Sequence, residues 1–303
     1  VDLWEGGARD SEHEVEGRSM PPRSNPTARQ ARLGTELRKL REAAGMSARE
    51  AGAMLGGGAA QISHIEAGRW GVSEDRVRRL ASMYKCGNEA LIDALCAMTR
   101  EHRGQHWWDE YRGILSPGFL DISELEHHAR ALRLFQTTYV PGIFQTEEYA
   151  RALFGGSIPS LPDEQLNARV EHRVRRRWIY EREQPPETVA IVHEAALRMR
   201  YGSRAVQQRQ LRFLSDVAEW PTVTLRVIPF DMDNLIGTVQ SMLYAEGPVP
   251  ELDTVQMDNA FRGTFVSADA LLSMYRSMFD VLVSSALSET ESREFLHRAV
   301  QEM

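Results

Sequence analysis

The sequence has only two cysteines in 303 residues, and their placement excludes more than it offers. Cys86 and Cys96 lie ten apart in helical sequence, without a CxxC pair or a second pair of ligands. That pattern reads as reduced, packed thiols and rules against a zinc site. No run of 18 apolar residues occurs, so no segment reads as a membrane span. The opening "VDLWEGGARDSEHEVEG" is acidic where a secretory leader is basic and then apolar, and the protein is expected in the cytoplasm, at the nucleoid.

Catalytic signatures are equally scarce. The chain has no GxSxG elbow, no phosphate-binding P-loop and no GxGxxG after a strand. "HEAALR" begins like the zinc-peptidase motif HExxH, whose two histidines share one helical face, but Leu197 stands where the second histidine belongs. His193 and Glu194 alone cannot hold the metal. His102 and His106 have the right i, i+4 spacing and lack a neighbouring carboxylate as third ligand. Asp231 and Asp233 in "PFDMDN" would need a glycine and a glutamate where Ile236 and Met242 occur, so a turn is expected in place of a calcium loop. The reading is of a non-enzymatic protein with no metal and no cofactor.

What is present starts with charge. The net charge of −7 is unevenly spread: residues 1 to 20 carry two arginines against six acids, and residues 21 to 85 carry twelve Lys or Arg against six acids. A basic module on an acidic body points to a polyanion. The leader, residues 1–25, has no apolar period and is expected to be disordered, with Met20 as a candidate start. Five short helices follow in residues 26–100. Leu33, Leu37, Leu40 and Ala44 mark the first, and Gly45 stops it. Ser47 and Glu50 form a capping box that starts the second. Three glycines at 56 to 58 supply the turn to the third, which points Ile62 and Ile65 inward. Ser73 opens the fourth and Leu91, Leu95 and Met98 mark the fifth.

Residues 101–303 change grammar. Helical stretches at 121–138, 163–181, 203–219 and 267–287 alternate with β-like runs "TVAIV", "VTLRVIPF", "VQSMLYA" and "TVQMD" between 188 and 266. The expected fold is an N-terminal all-α five-helix head followed by an α+β domain with a small sheet packed on helices. Arg169, Arg173, Arg175, Arg176, Arg177 and Arg182 alternate with Glu164, Glu171, Glu181 and Glu183, so helical i, i+4 pairs are expected to absorb most of that charge. Trp107, Trp108 and Tyr111 are expected to dock the linker onto the body. The helix at 267–287 has more apolar width than a surface helix needs, which points to a homodimer contact, a partner surface or burial on the sheet.

"LGTELRKLREAAGMSAREAGAMLG" followed by "ISHIEAGRWGVSEDRVRRLASMY" resembles the lambda-repressor-like, Xre-type helix-turn-helix domain over residues 30 to 85. "QHWWDEY", "YVPGIFQTEEYARAL", "RVEHRVRRRW", "HEAALR" and "VTLRVIPF" resemble, over residues 105 to 297, the second half of actinobacterial Xre-type regulators of the WhiJ-like or antitoxin-like kind. The resemblance implies a regulator bound to double-stranded DNA, acting as a homodimer or with a small cognate protein. It implies a pairing of Arg41 with Glu66 as a strut inside the head, and a bidentate guanidinium suits a partly buried carboxylate. It also implies that Ala59, Ala60 and His64 project toward base edges, flanked by Gln61 and Ser63. Ala48 stands where relatives carry a phosphate-binding glutamine, leaving phosphate to Arg49 and Arg69. Alanine methyls meet only thymine methyls, so base hydrogen bonds fall to Gln61, Ser63 and His64.

Overall fold

The computed structural model describes residues 25–100, 104–232, 240–258 and 263–303. Residues 1–24 of the expected leader, with Met20, and His102, Asp233 and Ile236 lie outside them.

The head comprises α1 (Ala28–Ala43), α2 (Ala48–Met54), α3 (Ala59–Glu66), α4 (Glu74–Met83) and α5 (Glu89–Thr99). Local chemistry sets the starts. Thr27 with Gln30 and Ser47 with Glu50 form reciprocal capping boxes, while the side chains of Ser73 and Asn88 accept the amides of Arg76 and Leu91. Each such cap satisfies an amide that helix geometry leaves without a partner and contributes about 1 kcal/mol. Leu37, Ile62, Ile65, Val77, Leu80 and Leu95 meet in one core, each at most 2% exposed. Burying a side chain of that size contributes roughly 1.5–3 kcal/mol.

The body contains α6 (Pro117–His128), β1 (Ala131–Gln136), α7 (Glu147–Gly155), α8 (Asp163–Arg175), β2 (Glu187–His193), α9 (Glu194–Arg198), α10 (Arg204–Val217) and β3 (Val223–Ile228). There follow β4 (Met242–Glu246), β5 (Thr254–Asp258), β6 (Gly263–Val266), α11 (Asp269–Ser285) and α12 (Glu289–Glu302). The strands form a six-stranded sheet in the order β3-β2-β1-β4-β5-β6. β1, β2 and β3 run parallel, and β4, β5 and β6 form an antiparallel meander joined to β1. Helices separate the parallel strands in sequence, as crossover connections require.

Alternation along the strands builds two layers of core. Leu132, Leu134, Ala190, Val192, Leu225 and Val227 face one side, against Tyr149 of α7, Leu211 and Leu214 of α10 and Leu296 of α12. Phe135, Ile191, Ile228 and Tyr244 face the other, against Leu272, Phe279 and Leu282 of α11. Part of the wide apolar surface of α11 is thus buried on the sheet. Leu271, Met274 and Val281 on the same helix remain exposed.

Two expectations need correction. The helix expected over 121–138 ends at His128, where Ala129 turns to extended backbone, and Ala131–Gln136 becomes the central strand β1. Leu125, Ala129 and Leu132 happen to fall at helical spacing, but a central strand covered on both faces shows no clean alternation. The sheet therefore draws on residues before 188. Second, the arginines between 169 and 182 are not mainly held in i, i+4 pairs. Arg176 forms a buried two-pronged ion pair with Glu126 of α6, Arg175 lies over Trp107 and Trp178 and bonds Glu110, and Arg177 lies over Phe213. Among α8's own acids, Glu171 reaches Arg175 at 3.7 Å. In "HEAALR" the His193 ring caps α9, and Glu194 holds Arg198 and the Phe230 amide.

Head and body touch directly. A turn of 3-10 helix at Pro250–Leu252 places Leu252 within the head's core, and Arg32 of α1 donates to the backbone carbonyls of Glu251 and Asp253. Asp121 of α6 accepts the Ala28 amide at 3.0 Å, and Lys39 reaches Asp269 at 2.9 Å. Trp108 and Tyr111, both buried, pack with Leu115 and Leu120 in the segment that joins the two halves.

Candidate nucleic-acid interface

The tight joint between α2 and α3 rests on absent side chains. A Cβ on Gly52 would lie 2.6 Å from the carbonyl of Gly58, so α2 meets the turn backbone to backbone. Gly56 at φ +72° takes the left-handed conformation that ends α2. Ile62 and Ile65 bury one side of α3, leaving Ala59, Ala60 and Ser63 exposed on the other. Gly58 caps α3 without a side-chain hydrogen bond. The first amides of α3 thus have no acceptor from a capping side chain, and a helix start of this kind attracts an anion.

The polar positions of α3 are each partly engaged. Ser63 donates its hydroxyl to the Ala59 carbonyl at 3.0 Å, which leaves its oxygen only as an acceptor for a base. The Gln61 side chain folds over Gly57, where a Cβ would stand 2.0 Å from its Oε1. His64 stacks on Trp70 with ring centroids 5.0 Å apart, so the ring is positioned by the residue that follows the Gly68 turn. Trp70 was not among the sequence-derived candidates. The only signal for it was an aromatic six residues past a surface histidine.

Arg41 donates from Nε to Glu66 Oε1 at 2.5 Å, from Nη2 to Oε2 at 2.9 Å and from Nη1 to the Met46 carbonyl at 2.7 Å. The pair ties α1, α3 and the α1–α2 turn together. Hydrogen bonding to Glu66 holds the Arg41 guanidinium above its ordinary pKa. By contrast, Arg49 at the start of α2 and Arg69 just after α3 are exposed and have no acidic partner among the described residues. Arg79 on α4 is likewise exposed and unpaired among them.

No group of three or more His, Cys, Asp or Glu among the described residues could hold a metal ion. Among them no helix is long and apolar enough to cross a membrane. Arrangement and charge are those of a helix-turn-helix unit with a solvent-facing second helix.

Comparison with known proteins agrees. Residues 32–95 match the helix-turn-helix domain, and residues 119–298 match a domain of unknown function, DUF5753. Neither a curated protein nor a solved structure matches the chain. The head is the helix-turn-helix domain of a DNA-binding regulator, and the chain as a whole belongs to the DUF5753 family.

Proposed function

We propose that this protein is a sequence-specific transcriptional regulator that inserts α3 into the major groove of double-stranded DNA and uses its body to pair two heads or to sense an effector. The observation that carries the reading is the exposed flank of α3. It joins short side chains at Ala59 and Ala60, an uncapped helix start and two unpaired arginines, Arg49 and Arg69, on either side of the unit. Short side chains let the helix approach closely, the amides and arginines meet phosphates, and Gln61, Ser63 and His64 read base edges.

Two or three polar base contacts per head give modest discrimination, so two heads one helical turn apart on the duplex are expected to act together. Leu271, Met274, Met278 and Val281 recur along one stripe of α11 at helical spacing, and Met274 is 59% exposed. A stripe of this kind suits a second copy of the chain. A small cognate protein, as the antitoxin-like resemblance implies, is the alternative occupant.

The test is a salt titration of the full chain on a selected operator. The logarithm of affinity should fall linearly with the logarithm of salt, by about 0.9 for each phosphate neutralised. Arg49→Ala and Arg69→Ala should each lower that slope by about 0.9 and weaken all sequences alike. A flat salt dependence would refute DNA binding through this face.

A further inference from the structure

A cavity of about 1140 Å³ opens where the head meets the body. It is somewhat larger than the roughly 300–1,000 Å³ usual for small-molecule sites, so a ligand would fill part of it. The face that β1, β4 and β5 turn toward it carries Leu134, Gln136, Leu243, Ala245, Thr254 and Gln256. On β2 and β3 that face is mainly apolar and covered by helices, and its buried Thr188 is bonded to Tyr180. Here it is half polar, although Gln136, Thr254 and Gln256 are only 8%, 6% and 5% exposed. The Oε1 of Gln136 has no hydrogen-bond partner among the described residues. A buried amide oxygen in a roomy polar cavity is an acceptor in need of a donor.

The wall supplied by α8 is cationic. Arg169 lines the cavity with its guanidinium over Phe119 and Phe154, at 5.1 and 6.0 Å from the ring centroids, and has no acidic partner among the described residues. Arg173 lies 4.8 Å over Phe154 and donates to the neutral Gln145 amide at 3.1 Å. A Cβ on Gly142 would stand 2.6 Å from Arg173 Nη1 and 3.1 Å from Arg176 Nη1, so this backbone leaves space for guanidinium heads. The acids around the cavity are already engaged. Glu126 is held by Arg176, Glu246 by Arg133 and Asp121 by the Ala28 amide, and Glu124 also has a partner. Burial disfavours the charged form of Arg169, and an incoming anion would offset that cost.

We propose that this cavity binds a small organic anion that also bears a hydroxyl or N–H donor, its oxyanion on Arg169, its apolar part on Leu134 and Leu243, and its donor on Gln136. The inference rests on the reading of the body as a sensing domain and gives that domain its ligand class. Thr27, Ala28 and Arg32 from the start of α1 line the same cavity. An occupant therefore touches head and body at once, and any difference in its affinity between two head placements is returned as a difference in DNA affinity.

Carboxylates and phosphate esters share this chemistry, and two probes separate them: 3-hydroxydecanoate and adenosine monophosphate, titrated calorimetrically into the full chain without DNA. One of them should saturate at one per chain with a Kd below millimolar. Arg169→Gln should weaken it at least tenfold, Arg169→Lys should recover part of that loss, and Gln136→Leu should weaken it severalfold. Each variant should unfold at the wild-type temperature, which separates lost binding from lost folding. Absence of saturable binding by both probes up to millimolar concentration overturns the proposal, as does binding that survives both Arg169→Gln and Gln136→Leu unchanged. DNA affinity measured on the same ligand-free sample reports on the regulator reading by itself, so the two failures are distinguishable.

Discussion

In the head, Arg49, Arg69 and Arg79 stand in solvent with no acidic partner among the described residues, whereas in the body Arg175, Arg176 and Arg177 turn inward onto rings and carboxylates. One residue type thus does two different jobs in one chain. An exposed, unpaired guanidinium adds almost nothing to packing, and its contribution is the field it projects toward a polyanion. A guanidinium laid on tryptophan or forked onto a buried carboxylate contributes to the fold and projects little. The comparison also explains why charge totals mislead here: the basic run at 169–182 is denser than any in the head, yet much of it is consumed internally.

Truncating one arginine of each kind separates the two roles. Arg176 and Glu126 are 6% and 1% exposed, and removing one member of such a pair leaves a buried, uncompensated charge. Arg176→Ala should destabilise the protein by about 3–5 kcal/mol, read as a lower denaturation midpoint in urea. Arg49→Ala should change stability by less than about 0.5 kcal/mol, as exposed substitutions do. Equal losses in the two variants would erase the distinction.

Histidine sharpens the same contrast through pH. His172 in the body is fully buried, with Nε2 3.0 Å from the Ser123 hydroxyl and Nδ1 without a partner among the described residues. Burial, reinforced by Arg176, Arg173 and Arg175, pushes its pKa down to about 2. The folded protein therefore keeps this ring neutral, while the unfolded chain takes up a proton as pH falls through about 6.5. Stability from this group is complete above that value and is lost progressively below it. Between pH 7 and pH 5 the loss should be about 2 kcal/mol. His172→Gln should remove that part of the acid sensitivity when urea midpoints are compared at the two pH values. A variant with an unchanged pH profile would show that the ring is not held neutral.

How much of this was legible in the sequence differs between the halves for a physical reason. The head is built from local signals: Ser47 with Glu50, the glycines at 56 to 58 and the spacing of Leu33 and Leu37 each act within a few residues. All five helices and the Arg41–Glu66 contact follow from such signals and from family resemblance. The body is built from pairings far apart in sequence. β1 joins β2 and β4 across more than fifty and one hundred residues respectively, as in Leu134 opposite Ala190 and Leu243, and nothing within "ALRLFQ" announces either neighbour. The same holds for Arg176 with Glu126 and for the cavity beside Gln136. The candidate interface was legible as a set of positions on α3, but the orientation of its polar groups was not. The stacking of His64 on Trp70, the fold of Gln61 over Gly57 and the Ser63 bond to Ala59 are rotamer choices set by the surroundings.

The smallest expected effect lies on α3 and tests whether those rotamers matter for reading DNA. If α3 enters the groove, His64 is held in place by Trp70, and a preorganised ring loses little freedom on binding a base. His64→Ala should then reduce the gap between operator and random DNA by about 1 kcal/mol, the low end for one polar base contact, while leaving the salt slope unchanged. Trp70→Leu should act in the same direction by releasing the ring, although Trp70 itself need not touch DNA. Ala60→Gln adds a side chain able to bond adenine at the close-approach position and should change which half-site is preferred. These three are measured by competition binding on a randomised half-site library, with Arg49→Ala as the reference that weakens every sequence equally. If His64→Ala, Gln61→Ala and Ala60→Gln all left the preferred sequence and its margin untouched, α3 would not be the reading element. The exposed arginines of the head would then hold phosphates alone.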